Sequence, residues 1–347
     1  MSTAVTHDTR VPGRAHDLAA APPSSRCFDW AATVLSALFT GGVFLDGWAH
    51  THGRVDETFF TPWHAALYSG FFATAALLVW RATWGLGRGH GWRAAMPEGY
   101  GWALVGVGCW LVGGPFDVAW HSVFGFEAGV EALLSPAHAM LAVGLGLMAS
   151  GPLRAGLRRA PGRWRDELPV VLSLTFVVSN LTFFTQIAHP VSNLWATRGR
   201  YGSHDAMELG ITGLLLTTAI VMGPLLLLLR YGRLPAGAVA ILITLNSVAM
   251  GFVYDQGPYP LAAVAALSAA AVAGDMLQVA LRPSAARPAA LRLFAVALPV
   301  LLHAAYFAAV HFTSGIGWTP HLWLGVVVFS GAIGWLLSYL VLPPRGL

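Results

Sequence analysis

Residues 29–80 read DWAATVLSALFTGGVFLDGWAHTHGRVDETFFTPWHAALYSGFFATAALLVW. Two apolar runs, 29–50 and 62–80, flank a short polar bend. Each run has about the 20 residues an α-helix needs to cross a hydrocarbon core. The same pattern continues at 100–121, 136–153, 168–189, 205–229, 235–254, 260–281, 292–311 and 320–342. The expected fold is therefore all-α: a polytopic membrane protein of about ten transmembrane helices, grouped as five hairpin repeats. A chain that is 56% hydrophobic and 10% charged, with mean hydropathy +0.62, excludes an ordinary soluble domain and a disordered one alike.

Charge sets the expected orientation. All 20 basic residues are Arg. With ten spans, Arg54, Arg198 and Arg200 fall on one side and all the others on the side of the termini. The positive-inside rule then places both termini in the cytoplasm and the protein in the plasma membrane. The basic pI of about 9.4 reflects that orientation. No basic patch is interleaved with stacking aromatics, so nucleic acid is not an expected partner. Residues 1–27 read as a flexible cytoplasmic tail, and 28–347 as one transmembrane helical domain. Cys27 and Cys109 form no CxxC or CxxCH pair, which argues against thiolate metal sites and covalent c-type haem.

The bends on the outer side carry the chemistry. The first hairpin has Asp46-x3-His50, then Thr61-Pro62-Trp63-His64; the second has Asp117-x3-His121, then Ser135-Pro136-Ala137-His138. Residues four apart share a helix face, so each Asp lies about 6 Å below its His along the axis. Thr or Ser before Pro is an N-cap followed by proline at the first helical position. The next His falls in the first turn, where the positive helix end favours the neutral, ligating imidazole. Nitrogen and oxygen donors without thiolate suit copper, zinc or iron. The alternative is interfacial capping, since an aspartate in the bilayer demands a partner.

Weaker candidates lie in the other hairpins. The third offers His189, His204 and Glu208, and the fifth His311 and His321, where Thr319-Pro320-His321 repeats the capping pattern. His303 reads as a buried, hydrogen-bonded histidine. Asp275 and Gln278, polar within an apolar run, are expected to bridge helices or carry protons. Glu127 and Glu131 read as a solvated face.

On Asp117-x3-His121 … Pro136-x-His138, and more fully on Asp46-x3-His50 … Asp56-Glu57-Thr58-Phe59-Phe60-Thr61-Pro62-Trp63-His64-Ala65-Ala66-Leu67-Tyr68-Ser69-Gly70, the chain resembles the copper membrane monooxygenase family. The likeness is to one membrane component of the particulate methane/ammonia monooxygenases, and it is confined to these hairpins. It implies two metal triads, Asp46/His50/His64 and Asp117/His121/His138, holding copper or zinc. It further implies dioxygen chemistry on small apolar substrates, with companion membrane subunits and an electron donor. Two other functions fit the same residues: copper or zinc handling or transport, and bis-histidine haem ligation in an electron carrier.

Overall fold

The computed structural model describes residues 21–54, 61–125, 133–197, 204–232, 234–254 and 258–343. Glu127, Glu131 and the acidic stretch 56–60 lie outside the described residues. Among the described residues ten long helices follow one another: α1 (Arg26–Thr51), α2 (Pro62–Gly87), α3 (Gly101–Phe124), α4 (Pro136–Ala149), α5 (Trp164–Phe184), α6 (His204–Arg230), α7 (Ala238–Val253), α8 (Pro258–Leu281), α9 (Pro288–Thr313) and α10 (Pro320–Val341). A short helix, Gly151–Gly156, continues α4. Among the described residues the sole strand-like pairings are two isolated bridges, Thr197–Ile316 and Ser284–Arg287.

Nine of these helices, α4 counted with its continuation to Gly156, are long and apolar enough to cross a membrane; α7, with 16 residues, is shorter. At 1.5 Å per residue α7 reaches about 24 Å, less than the roughly 30 Å of a bilayer core. Large apolar side chains such as Leu38, Phe72, Leu111, Val328 and Leu340 stand exposed on the outer faces of the bundle. That is the surface a lipid solvent accommodates and water does not.

Consecutive helices pack as antiparallel pairs in α1–α2, α3–α4, α7–α8 and α9–α10. The pairs close where a residue without a side chain lets backbones touch. A Cβ at Gly42 would come within 2.7 Å of Leu67 Cα, one at Gly70 within 2.6 Å of Phe39 Cα, and one at Gly106 within 2.5 Å of the Gly144 carbonyl. Close approach of this kind replaces the hydrophobic drive that helices lack in lipid. Phe39, Phe71 and Trp110 fill the space between the first two pairs, with Phe39 edge-on to Trp110 at 4.6 Å between ring centroids. Trp110 Nε1 donates to the Leu141 carbonyl at 2.8 Å and ties α3 to α4.

The expected third hairpin departs from this plan. α5 packs on α4 with its continuation, on α7 and on α1, while α6 packs on α10. The chain between them turns inward through a 3-10 turn, Gln186–Ala188, and a helical turn, Pro190–Asn193. Asn193 Nδ2 closes this turn by donating to the carbonyls of Gln186 (2.8 Å) and Ile187 (3.0 Å). Gly213 of α6 presses on it so closely that a Cβ would overlap the Ala188 carbonyl.

Asp275 has a defined task. Its carboxylate accepts from the backbone N–H groups of Gly237 (2.9 Å), Val239 (3.3 Å) and Ala240 (2.7 Å). It therefore caps the start of α7 from the neighbouring α8, the work an N-cap residue normally does from within its own helix. Gln278 Nε2 donates to the Leu234 carbonyl at 2.7 Å beside it. Of the two expected roles, the structure shows helix bridging. Asp275→Ala should destabilise the fold by about 2 kcal/mol or more, because three buried donors lose a charged acceptor. Unfolding in detergent would check this, with Asp275→Asn expected to fall between the two.

Candidate metal centre

Both Asp/His/His sets assemble. In the first, His50 Nε2 lies 3.7 Å from Asp46 Oδ2, and His64 Nε2 lies 3.6 Å from Asp46 Oδ1. In the second, the Nε2 atoms of His121 and His138 both lie 3.5 Å from Asp117 Oδ1. The ring centroids of His50 and His64 are 6.0 Å apart at 68°, and those of His121 and His138 are 5.9 Å apart at 63°. The two sets thus repeat not only in sequence but in ring arrangement. Within each set one ligand atom from every residue lies within 4.8 Å of the others.

Local structure explains the convergence. Thr61 and Ser135 cap α2 and α4 by accepting the backbone N–H of His64 (3.1 Å) and His138 (3.2 Å). The same hydroxyls touch the Nδ1 atoms of these rings, at 3.1 and 2.8 Å. One oxygen therefore fixes both the helix start and the imidazole. On α1 and α3 the acid and the first His are one turn apart, and a glycine precedes each acid by another turn. Gly42 rests on Leu67, and Gly113 on Leu141, whose Cδ2 would be 2.8 Å from an added Cβ. Leu67 and Leu141 each follow the capping-turn His by three residues. The paired contact sets the depth at which each hairpin closes, and so the distance from acid to imidazole. These glycines are the element that the motif alone does not reveal. The full pattern is Gly-x3-Asp-x3-His, then Thr/Ser-Pro-x-His-Ala-x-Leu.

The separations fit coordination better than direct hydrogen bonding. A nitrogen-to-oxygen hydrogen bond spans about 2.7–3.2 Å. Two ligand atoms, each about 2.0–2.2 Å from one tetrahedral ion, stand about 3.4 Å apart. The observed 3.5–3.7 Å needs closure by only a few tenths of an ångström. His121 adds a tautomer argument. Its Nδ1 lies 3.1 Å from the Gly125 carbonyl, which can only accept, so in the neutral ring Nδ1 carries the proton and Nε2 the lone pair. That lone pair faces a carboxylate, and a cation between them removes the repulsion. Asp46 Oδ1 and Asp117 Oδ1 are buried and accept no hydrogen bond among the described residues, an arrangement costly unless a positive charge is present.

The two sets are neighbours. They are close enough to interact electrostatically: Asp46 with Asp117 and His138, His50 with His121 and His138, and Tyr68 with both carboxylates. Tyr68 lies one turn after His64, and its hydroxyl rests 3.4 Å from where a Cβ of Gly114 would be. The sets differ in access. The His50 side chain is 48% exposed, whereas that of His121 is 13% exposed.

The other expected ligands are not drawn together. His204 and Glu208 are exposed on the first turns of α6, while His189 is buried at the inward turn. Among the described residues these three form no ligand group. The separation follows from the inward turn at 186–193, which buries His189 away from the bend. His311 and His321 are both exposed. Thr319 makes no side-chain cap, and His321 falls one position earlier in its helix than His64 or His138. His303 is a held interior residue, with Nδ1 donating to the Pro299 carbonyl at 2.8 Å.

Because Ser135 supports both helix and ring, Ser135→Ala should weaken metal binding at the second set about 10- to 100-fold. Thr61→Ala should do the same at the first. Competition with a chelator of known affinity measures each. The chain matches no known protein family, and neither a curated protein nor a solved structure shows significant similarity to it.

Proposed function

We propose that the protein is an integral-membrane metalloprotein that holds a cation at each Asp/His/His set, with copper as the first choice of metal, and that it acts as a copper-dependent oxidase or monooxygenase on small apolar substrates. The observation that carries this reading is the pair of buried carboxylate oxygens that accept no hydrogen bond among the described residues, each facing imidazole nitrogen at close to the separation of two ligands on one ion. Three protein ligands leave a position open, which is the pattern of a working site and not of a closed structural one. Bound copper would supply redox chemistry toward dioxygen there. Asp46, His50 and His64 would hold one ion; Asp117, His121 and His138 would hold the other. Thr61 and Ser135 orient the rings. The apolar outer faces suit a substrate that arrives through lipid, and an electron donor or companion membrane subunits would complete the reaction. This agrees with the resemblance of the two hairpins to the membrane monooxygenases.

One observation favours a second reading. The half-exposed His50 leaves the first set open to exchange, as a copper- or zinc-handling protein requires. Haem fits less well, because both Nε2 atoms of a set converge on a carboxylate instead of flanking a flat macrocycle. Elemental analysis and electron paramagnetic resonance of the purified chain, followed by oxygen uptake with a reductant, test the proposal. Stoichiometric copper and reductant-dependent oxygen consumption are expected. Metal flux into vesicles without oxygen consumption would move the assignment to transport, and absence of bound metal would end both.

A further inference from the structure

A second polar site lies in the other half of the bundle. A cavity with about 50 Å³ of room for the centres of water-sized molecules opens between α6, α7 and α9. Thr217, Ser247 and Tyr306 give it hydroxyls, and Met222, Ile243 and Leu302 give it apolar wall. Tyr306 is 1% exposed, and its hydroxyl has no hydrogen-bond partner among the described residues. Ser247, also buried, has none either. Helix hydroxyls in this protein commonly donate to the carbonyl one turn back, as Ser69, Ser122, Thr175, Thr218 and Ser268 do. Ser247 forgoes that bond at the cavity wall. Two hydroxyls that make no bond among the described residues and line one cavity are free to bond an occupant.

The lining decides what the occupant is. The cavity has no carboxylate, Arg or Lys. Its two histidines are already engaged. His189 accepts from the Val191 N–H at 3.3 Å, beside Asn246, which donates to Thr182 at 2.7 Å. His303 Nδ1 donates to the Pro299 carbonyl at 2.8 Å. A charged ligand would be desolvated without compensation. At about 10–15 Å³ per water centre, the space suits three to five waters, or a molecule of about four to six non-hydrogen atoms.

We propose that this cavity is a binding site for a small uncharged molecule with one hydroxyl or carbonyl oxygen, which accepts from Tyr306 and Ser247 while its apolar body meets Met222, Ile243 and Leu302. The site is independent of the metal reading. Fluorine NMR of trifluoroethanol at millimolar concentration with the purified full chain in micelles tests it. Saturable binding is expected for the wild type. Tyr306→Phe, which keeps the ring, should weaken it about five- to tenfold, the worth of one hydrogen bond. Ser247→Leu, which fills the space, should abolish it. Tyr306→Phe keeps the test decisive if Ser247→Leu fails to fold. Uptake that rises linearly, or that is the same in wild type and Tyr306→Phe, would overturn the proposal.

Discussion

Alanine at Asp117 is expected to lower bound metal from two ions per chain to one and to leave the Asp46 set loaded; Asp46→Ala should do the converse. Each aspartate is the one group on which both imidazoles of its set converge. Its removal leaves two neutral ligands and no negative charge to offset a divalent cation. The loss should exceed the 10- to 100-fold that outer supports such as Ser135 are worth, and reach at least about 1000-fold in affinity. The sets should also part in kinetics. A chelator should strip the first set sooner, since His50 is half-exposed and His121 is not. Elemental analysis after desalting, with a paramagnetic signal for each ion, reads both effects. Unchanged occupancy in both variants would refute the two-site reading.

Much of this geometry is legible in the sequence, and the reasons are local. A helix repeat of 3.6 residues forces Asp46 and His50, and Asp117 and His121, onto one face. Thr61-Pro62 and Ser135-Pro136 fix where α2 and α4 begin, and the structure starts both helices there. Span boundaries follow from hydropathy, and α9 (288–313 in the structure) contains the expected run 292–311. What is not legible depends on tertiary contact. Asp275 reads as an acid that bridges helices or carries protons, and nothing near it in sequence announces that its partners are the N–H groups of residues 237–240. His189 reads as equivalent to the other bend histidines, yet the turn at 186–193 carries it inward. The separation of α5 from α6 depends on which neighbour each helix prefers, and amphipathic periodicity is silent on that when every face is apolar. Gly42 and Gly113 are visible, but among 39 glycines their alignment with Leu67 and Leu141 emerges only in three dimensions.

Arg159→Met is expected to destabilise the fold by about 3–5 kcal/mol. Asp29 of α1 is 1% exposed, and its Oδ2 meets Arg159 Nη1 at 2.6 Å. Tyr100, at the start of α3, donates to Oδ1 at 2.8 Å, and Ser24 donates to the same atom. Four chain segments thus meet at one buried carboxylate: the stretch before α1, α1 itself, the start of α3 and the linker before α5. Without Arg159 that carboxylate keeps two neutral donors and no counter-charge, so the penalty is that of an uncompensated buried ion. Removing both charges together, as Asp29→Asn with Arg159→Met, should recover most of the loss. That recovery would show that the loss came from the unpaired buried charge. The nearby Arg26–Asp166 pair is a built-in contrast. Its distance is 3.0 Å, but the Arg26 side chain is 71% exposed. Solvent screening leaves such a pair about 0–1 kcal/mol, so Arg26→Met should be nearly silent. Unfolding midpoints of the four proteins in one detergent would rank them, and an Arg159→Met protein as stable as wild type would show that α1 is anchored by apolar packing alone.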